Sequence, residues 1–251
     1  KFKNIMHRKG AQDKKRAKLF SRLIREISVA AKIGGTDPDS NPRLRAAVNN
    51  ALSSNMAKDN IQRAINKNNT NSDNDQILEI IYEGFGPGGA AIIIESMTDN
   101  KNRSASEIRS TFSKYNGNLG ISGSVKHNFK KTGIISYSHE VDGFESFFEF
   151  CANQNVDDIQ ENDDTYDVIT TLESFHNVMV YLEEKYSFPK LSVIEWRPIN
   201  TIDVNDEENA KKLFTLLDKL EDLDDVQTVV SNFNIDEELL KKVIQWHKTW
   251  Y

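Results

Sequence analysis

Residues 134–196 read IISYSHEVDGFESFFEFCANQNVDDIQENDDTYDVITTLESFHNVMVYLEEKYSFPKLSVIEW. Short β-branched and aromatic runs are typical of strands, and longer amphipathic runs are typical of helices. Strands are expected at 134–137, 156–160, 166–170 and 191–196, and helices at 144–153 and 172–186. This order predicts a complete β-α-β-β-α-β unit, the ferredoxin-like pattern.

A second set of elements flanks this unit on both sides. On the N-terminal side we expect strands at 77–82 and 90–97, a helix at 103–115 and a strand at 123–129. On the C-terminal side a helix at 207–220 and a strand at 226–230 lack partners of their own, so they are expected to complete the earlier layer. The pattern therefore predicts a middle α/β domain, residues 77–132 plus 198–240, interrupted by an inserted domain, residues 133–197.

The first third of the chain predicts three helices. Apolar residues recur at helical spacing from Lys14 to Ala31, and Gly34-Gly35 ends that helix. Asn41-Pro42 is an N-cap followed by a proline at the first helical position, and a third helix surrounds Ile61. Residues 1–72 are interpreted as a helical domain, with a polar linker continuing to residue 76. The fold class is α+β multidomain.

Charge divides the chain into a basic head, residues 1–67, and an acidic body, residues 68–251. The head has sixteen Lys and Arg residues against five acids, a net charge of +11, whereas the body has sixteen against thirty-three, a net charge of −17. Eleven uncompensated positive charges repel one another unless an anion neutralises them. Nucleic acid is the first candidate partner.

The candidate nucleic-acid contacts are the basic side chains of the head. Four of them follow helical spacing, which predicts a stripe along one side of the first helix. Contacts of this kind position a protein on phosphates without reading base sequence. The stripe is Lys14, Lys18, Arg22 and Arg25, and the other candidates are Lys1, Lys3, Arg8, Lys9, Lys15, Arg16, Arg43, Arg45 and Lys58.

The glycine loop YEGFGPGG, residues 82–89, matches the spacing of a dinucleotide-binding loop. That loop must open a helix, whereas this one precedes an expected strand, so a hairpin turn is the favoured interpretation. The glycines remain candidates for close approach of a nucleic-acid backbone. They are Gly84, Gly86, Gly88 and Gly89.

Catalytic and metal sites are not expected. The five histidines have no ligand spacing, and acidic clusters at 161–164 and 221–225 are interpreted as solvated turns. Cys151 is the single cysteine and is interpreted as a core thiol. No nucleophile motif appears, so we expect a protein that is not an enzyme and needs no cofactor. We also expect no small-molecule substrate and no membrane association.

Five motifs resemble the YebC/PmpR family, whose mitochondrial branch includes the translational activator of cytochrome c oxidase. They are residues 1–20 (KFKNIMHRKGAQDKKRAKLF), 41–45 (NPRLR), 82–89 (YEGFGPGG), 98–103 (TDNKNR) and 118–125 (NLGISGSV). The resemblance continues through 220–226 (LEDLDDV). It implies an N-terminal helical domain followed by two α/β domains, and a non-enzymatic role in gene expression.

The resemblance leaves the target open. The family has been described both as promoter-binding transcriptional regulators and as ribosome-associated factors that relieve stalled translation. A third hypothesis, an interaction module with an incidental basic domain, also stays open. Base reading in a groove would need side chains such as Arg43, Arg45, Asn60, Gln62 or Arg63. We expect a monomer in the bacterial cytoplasm, with the mitochondrial matrix as the alternative compartment.

Overall fold

The computed structural model describes residues 12–67 and 77–250, with the side chains of residues 16–67 and 77–244. The helices are α1 Gln12–Gly34, α2 Pro42–Ser53, α3 Lys58–Asn66, α4 Lys101–Lys114, α5 Phe144–Ala152, α6 Leu172–Tyr186, α7 Glu207–Glu221 and α8 Glu237–Trp250. The strands are β1 Leu78–Phe85, β2 Ala91–Thr98, β3 Asn118–Leu119, β4 Phe129–Ser138, β5 Asp158–Glu161, β6 Thr165–Thr170, β7 Leu191–Pro198, β8 Ile202–Asp203, β9 Val226–Ser231 and β10 Phe233–Asn234.

These elements form two compact units. The first unit comprises residues 12–67 and 131–195, and the second comprises residues 77–130 and 196–250. The predicted linker at 68–76 lies outside the described residues. The helical head and the inserted sequence therefore share a unit, an association that local sequence pattern did not indicate.

The three helices of the head pack around an aliphatic core. Ile27 of α1, Leu44 of α2 and Ile61 of α3 are all buried in one cluster. The side chain of Asn41 caps α2, because its Oδ1 accepts a hydrogen bond from the Leu44 N–H at 3.1 Å. Pro42 follows at the first helical position, as the sequence predicted. The capping amide thus sets where α2 begins relative to the end of α1.

The inserted segment has the predicted β-α-β-β-α-β order. Its sheet has the strand order β5-β6-β4-β7, which is the ferredoxin-like arrangement. Strand β6 pairs antiparallel with both β4 and β5. Helices α5 and α6 cover one face, where Tyr137, Phe147 and Met179 are fully buried. The prediction of this fold from residues 134–196 is confirmed.

Helix α2 is anchored to the edge strand β7 of that sheet. The amide of Asn50 donates from Nδ2 to the Ser192 carbonyl at 2.6 Å and accepts from the Ser192 N–H at 2.8 Å. One side-chain amide therefore satisfies both backbone groups of a buried residue on an edge strand. Asn49 also donates to the Glu183 carboxylate at 3.1 Å, and Ser53 donates to the Pro189 carbonyl at 3.2 Å.

The second unit is built on an antiparallel sheet with the order β3-β1-β2-β9. Strand β9 pairs with β2, and α7 packs with α4 over the sheet around Ile94, Phe112 and Leu213. Residues from beyond residue 196 thus complete the layer begun at residue 77. A short parallel pair, β8 with β10, and the C-terminal helix α8 were not predicted from the sequence.

The predicted strand at Gly123–Phe129 is wrong. Residues 120–125 form turns, residues 126–128 form a 3-10 turn, and β4 begins only at Phe129. The physical reason is a tertiary one. The Glu83 carboxylate accepts hydrogen bonds from three backbone N–H groups of this segment, which turns the chain around a buried anion instead of extending it.

Candidate nucleic-acid interface

Helix α1 carries most of the candidate contacts that the structure describes. It is continuous through Lys14, Lys18, Arg22 and Arg25, so helical geometry places these four residues along one side. Lys18, Arg22 and Arg25 are partly exposed. Arg16 is exposed, and its helical position is on the opposite side, where its guanidinium lies 5.2 Å from the centre of the Phe20 ring.

The remaining candidates of the N-terminal segment are not all described. Lys1, Lys3, Arg8 and Lys9 lie outside the described residues, and for Lys14 and Lys15 only the backbone is described. Their part in nucleic-acid binding stays a prediction from charge alone. The described helix nevertheless establishes the direction in which the stripe extends.

The arginines of α2 are held by acids of the head. Arg43 makes a two-pronged contact with Glu26, from Nε to Oε1 at 2.7 Å and from Nη2 to Oε2 at 3.0 Å. Arg45 donates to Asp39 at 3.1 Å. A guanidinium that already pairs with a carboxylate must exchange that partner before it can pair with a phosphate. Both residues are therefore weaker candidates than the sequence suggested, whereas Lys58, at the start of α3, is exposed.

An open surface cavity of about 740 Å³ lies along α3, with Ile24 of α1 at its edge. Asn60, Gln62 and Arg63, which the sequence identified as base-reading candidates, all line it. Gln62 donates to Asn66 at 3.2 Å, and Arg63 donates through Nε to the Asp59 carbonyl at 3.2 Å. The structure thus brings three hydrogen-bonding side chains of α3 to one surface beside the basic helix.

The glycine loop forms a hairpin turn, which confirms the interpretation from sequence. Strands β1 and β2 pair up to Phe85 and Ala91, so Pro87–Gly89 form a 3-10 turn that opens a strand and no helix. A Cβ atom on Gly84 would lie 2.7 Å from the Asn118 carbonyl oxygen, and one on Gly86 would lie 2.7 Å from Leu213. Internal packing therefore accounts for two of the four glycines.

The other two glycines have positive φ angles. Gly88 has φ +76° and Gly89 has φ +79°, a region that side chains with a Cβ rarely adopt. The fold therefore explains why glycine occurs at all four positions. Close approach of a nucleic-acid backbone to this loop stays a prediction.

A buried carboxylate at Glu83 was missed by the sequence reasoning. Only 3 % of Glu83 is exposed, and its oxygens accept from the N–H groups of Gly123, Val125 and Lys126 at 2.7–2.8 Å. Burial alone would raise the pKa of this carboxyl, but the three donors and the nearby Lys126 charge lower it instead. The motif YEGFGPGG is therefore joined to NLGISGSV through this one side chain.

A second buried carboxylate corrects the interpretation of the acidic cluster at 221–225 as a solvated turn. Asp225 is 5 % exposed and accepts hydrogen bonds from Thr98 at 2.9 Å, from Arg103 at 2.9 Å and from Ser104. Burial would raise its pKa, but these donors lower it. The motifs TDNKNR and LEDLDDV thus meet at one hydrogen-bonded site, which holds the start of α4 against the turn before β9.

Cys151 is a core thiol, as predicted. It is fully buried, and burial raises its pKa to about 12. Within the described part of the chain, no group of three or more His, Cys, Asp or Glu side chains is arranged to hold a metal ion. The described helices include none that is long and apolar enough to cross a membrane.

The fold and the charged helix define a class of protein: a basic three-helix head with two sheet-containing domains. Family models match almost the whole chain, as TACO1/YebC protein N-terminal domain over residues 1–71 and as TACO1/YebC second and third domain over residues 77–233. The chain belongs to the TACO1/YebC family, which confirms the resemblance seen in its motifs.

Known relatives are similar over nearly their full length. A protein of Rickettsia bellii is 49 % identical over 95 % of this chain and 94 % of its own length. One of Zymomonas mobilis is 48 % identical over 98 % of both chains. Both are named probable transcriptional regulatory protein. The crystal structure of a conserved hypothetical protein from Aquifex aeolicus, 42 % identical, covers 94 % of this chain and 97 % of its own with a TM-score of 0.85.

Proposed function

We propose that this protein is a non-enzymatic, nucleic-acid-binding regulator of gene expression, and that its basic head makes the principal contact. The observation that carries the proposal is the net charge of +11 on residues 1–67 of a chain whose total charge is −6. The relatives named as transcriptional regulatory proteins support the regulatory part. Because those relatives are bacterial, we place this activity in the bacterial cytoplasm.

Contact with phosphates is the chemistry that the head supports best. Lys14, Lys18, Arg22 and Arg25 follow one side of α1, so they can neutralise successive phosphates while the apolar side of the helix packs in the bundle. The acidic body is expected to be repelled by the same polyanion. This division would leave the head as the part of the chain that binds nucleic acid.

The same head suits promoter DNA or ribosomal RNA, because phosphate contacts do not distinguish sequence. For DNA, we propose that α3 supplies base contacts through Asn60, Gln62 and Arg63, which line one cavity. For a ribosome-associated translation factor, backbone charge and shape suffice. The pairing of Arg43 with Glu26 and of Arg45 with Asp39 makes α2 a weaker source of base contacts than α3.

The proposal is tested with a variant in which four positive charges of the head are removed. Lys14, Lys15, Lys18 and Arg22 are changed together to Gln, and binding to ribosomes and to a promoter-length DNA duplex is measured across a salt series. We expect weaker binding and a shallower dependence of log Kd on log salt, by about one for each phosphate that the variant no longer neutralises. A specific-over-nonspecific DNA ratio of at least about a thousandfold, without ribosome binding, would identify the DNA-binding alternative.

A matched control removes four positive charges elsewhere. Lys211, Lys212, Lys241 and Lys242 lie on α7 and α8 and are changed to Gln, which alters the net charge by the same amount. The control is expected to bind as the unmodified protein does. If the head variant also keeps full affinity for ribosomes and DNA at physiological salt, the proposal is wrong, and the interaction-module hypothesis replaces it.

A further inference from the structure

The loop formed by residues 120–128, here called the Ile121 loop, is held rigidly at its base. The Glu83 carboxylate binds three of its N–H groups, and the Glu83 carbonyl accepts a fourth hydrogen bond from the Gly120 N–H at 2.8 Å. Val125 is fully buried against Ala91 and Ile93. The loop is therefore ordered before any partner arrives.

At the tip of this rigid loop an isoleucine side chain extends into solvent. Ile121 is 82 % exposed, more than any other large hydrophobic side chain among the described residues. Its neighbours are small: Gly120 precedes it, and Ser122 and Gly123 follow it. A single aliphatic side chain thus projects from this loop, and at this exposure it contributes little to the packing of the fold.

Apart from the buried Glu83 at its base, the loop and its flanking sequence have a charge opposite to that of the body. No acidic residue occurs between Glu107 and Glu140, whereas five Lys and Arg residues do. Lys126 and Lys130 are exposed, and the ammonium of Lys126 lies 5.7 Å from the centre of the Trp196 ring. Within a body of net charge −17, residues 108–139 are thus a basic segment, and such a segment suits an anionic partner.

We propose that the Ile121 loop is a second nucleic-acid contact of this protein and that it takes single-stranded RNA. Ile121 packs on the face of an unstacked base, and Lys126 and Lys130 attract the adjoining phosphates. The absence of side chains at Gly120 and Gly123 lets the sugar-phosphate backbone approach the loop closely. This inference rests on the proposed nucleic-acid-binding function and adds a site that the basic head does not contain.

Single-stranded RNA fits this geometry better than a duplex does. In a duplex the base faces are stacked and covered, whereas bulges and loops of RNA expose them. Ser122 is the one hydrogen-bonding side chain beside Ile121 at the tip, which is too few for the paired contacts that read base edges in a groove.

The experiment compares Ile121→Ser with the unmodified full chain. The probes are a labelled, unstructured single-stranded RNA of about 12 nucleotides and a DNA duplex of the same length. We expect Ile121→Ser to weaken RNA binding about threefold to tenfold, to change duplex binding by less than about twofold, and to leave the salt dependence unaltered because no charge is removed. Ile121→Leu is expected to restore RNA binding.

The matched control is Phe188→Ser, which removes another strongly exposed apolar side chain, 65 % exposed, from the inserted domain. It is expected to leave RNA binding unchanged. Unaltered melting temperatures for all three variants, measured by circular dichroism, show that the effects come from binding. If Ile121→Ser binds RNA normally, or loses duplex affinity equally, the assignment is overturned. The head variant with four charges removed separates the two proposals. If that variant loses binding while Ile121→Ser binds RNA normally, the proposal for the Ile121 loop is wrong and the proposal for the basic head stands.

Discussion

At the scale of single residues, two buried carboxylates hold together parts of the second unit that are distant in sequence. Glu83 connects β1 to residues 123–126, and Asp225 connects the turn before β9 to Thr98 and Arg103. Each is buried as an anion and surrounded by donors, which is the condition under which a buried charge stabilises a fold. Their loss is expected to cost more than the loss of a surface ion pair.

Glu83→Gln removes the anion but keeps the shape of the side chain. We expect the free energy of unfolding at neutral pH to fall by about 1.5–3 kcal/mol, because an amide nitrogen then faces backbone donors. Urea denaturation of the variant beside the unmodified protein measures the change. Glu79→Gln, an exposed position on the same strand, is the control and is expected to alter stability by less than about 0.5 kcal/mol. Equal stability of Glu83→Gln and the unmodified protein would contradict this role.

The lowered pKa of Glu83 gives that stabilisation a pH dependence. A carboxyl whose pKa is lower in the folded state stabilises fully above its unfolded pKa, about 4.3, and loses this effect as pH falls toward the folded value. We therefore expect the stability difference between the unmodified protein and Glu83→Gln to be constant above about pH 5.5 and to shrink below about pH 4.3. A stability difference that grows on acidification would show that folding does not lower the pKa of Glu83.

At the scale of secondary-structure elements, the hairpin β1–β2 depends on close packing at its glycines. A Cβ on Gly84 would lie 2.7 Å from a backbone oxygen of Asn118, which cannot move without disturbing β3. We expect Gly84→Ala to destabilise the protein by about 1–3 kcal/mol in urea denaturation. Gly143→Ala, where nothing lies within 4 Å and φ is −68°, is the control and should change stability by less than about 1 kcal/mol.

The contact between α2 and β7 is a second element-scale feature. Asn50→Ala leaves both the N–H and the carbonyl of the buried Ser192 without their partner, so we expect a loss of about 1–3 kcal/mol. The control is Asn153→Ala at an exposed position, which should be nearly neutral. Hydrogen exchange adds a specific readout, since the Ser192 amide should lose protection in Asn50→Ala while the centre of β6 keeps its protection. Unchanged exchange at Ser192 would refute the anchoring role.

At the scale of the whole molecule, charge is divided between parts of the chain. The inserted segment, residues 133–197, has three Lys and Arg residues against fourteen acids, a net charge of −11. Its charge is opposite in sign to that of the head and equal in size. Such a surface repels polyanions, so the inserted domain is expected to limit nonspecific adhesion to nucleic acid.

Reducing this negative charge should therefore strengthen nonspecific binding. Asp163 and Asp164 are exposed in the turn between β5 and β6, and their joint change to Asn is expected to tighten binding to unrelated RNA by about twofold to fivefold at low salt. The effect should vanish at about 0.5 M salt. The charge-preserving change of both residues to Glu serves as the control, and equal binding by the Asn and Glu variants would disprove a repulsive role. Filter binding measures both.

Much of the fold was predictable because local sequence pattern specifies its helices and strands. The helix predicted at 172–186 has those bounds in the structure, and the N-cap at Asn41 was identified from the dipeptide Asn-Pro alone. The strand predicted at 123–129 was wrong because the conformation of residues 123–128 depends on Glu83, some forty positions earlier. The interpretation of Asp225 as a solvated acid is wrong for the same reason, since its partners come from residues 98–104.

The candidate interface was likewise predictable only in part. The sequence by itself determined the order of elements, the stripe on α1 and the opposed charges of head and body, because periodicity and formal charge are properties of neighbouring residues. Only the tertiary structure decided that Arg43 and Arg45 are paired with acids, that Asn60, Gln62 and Arg63 share a cavity, and that Ile121 projects from a rigid loop. Burial and hydrogen-bond partners come from residues that are far apart along the chain, and no local pattern specifies them.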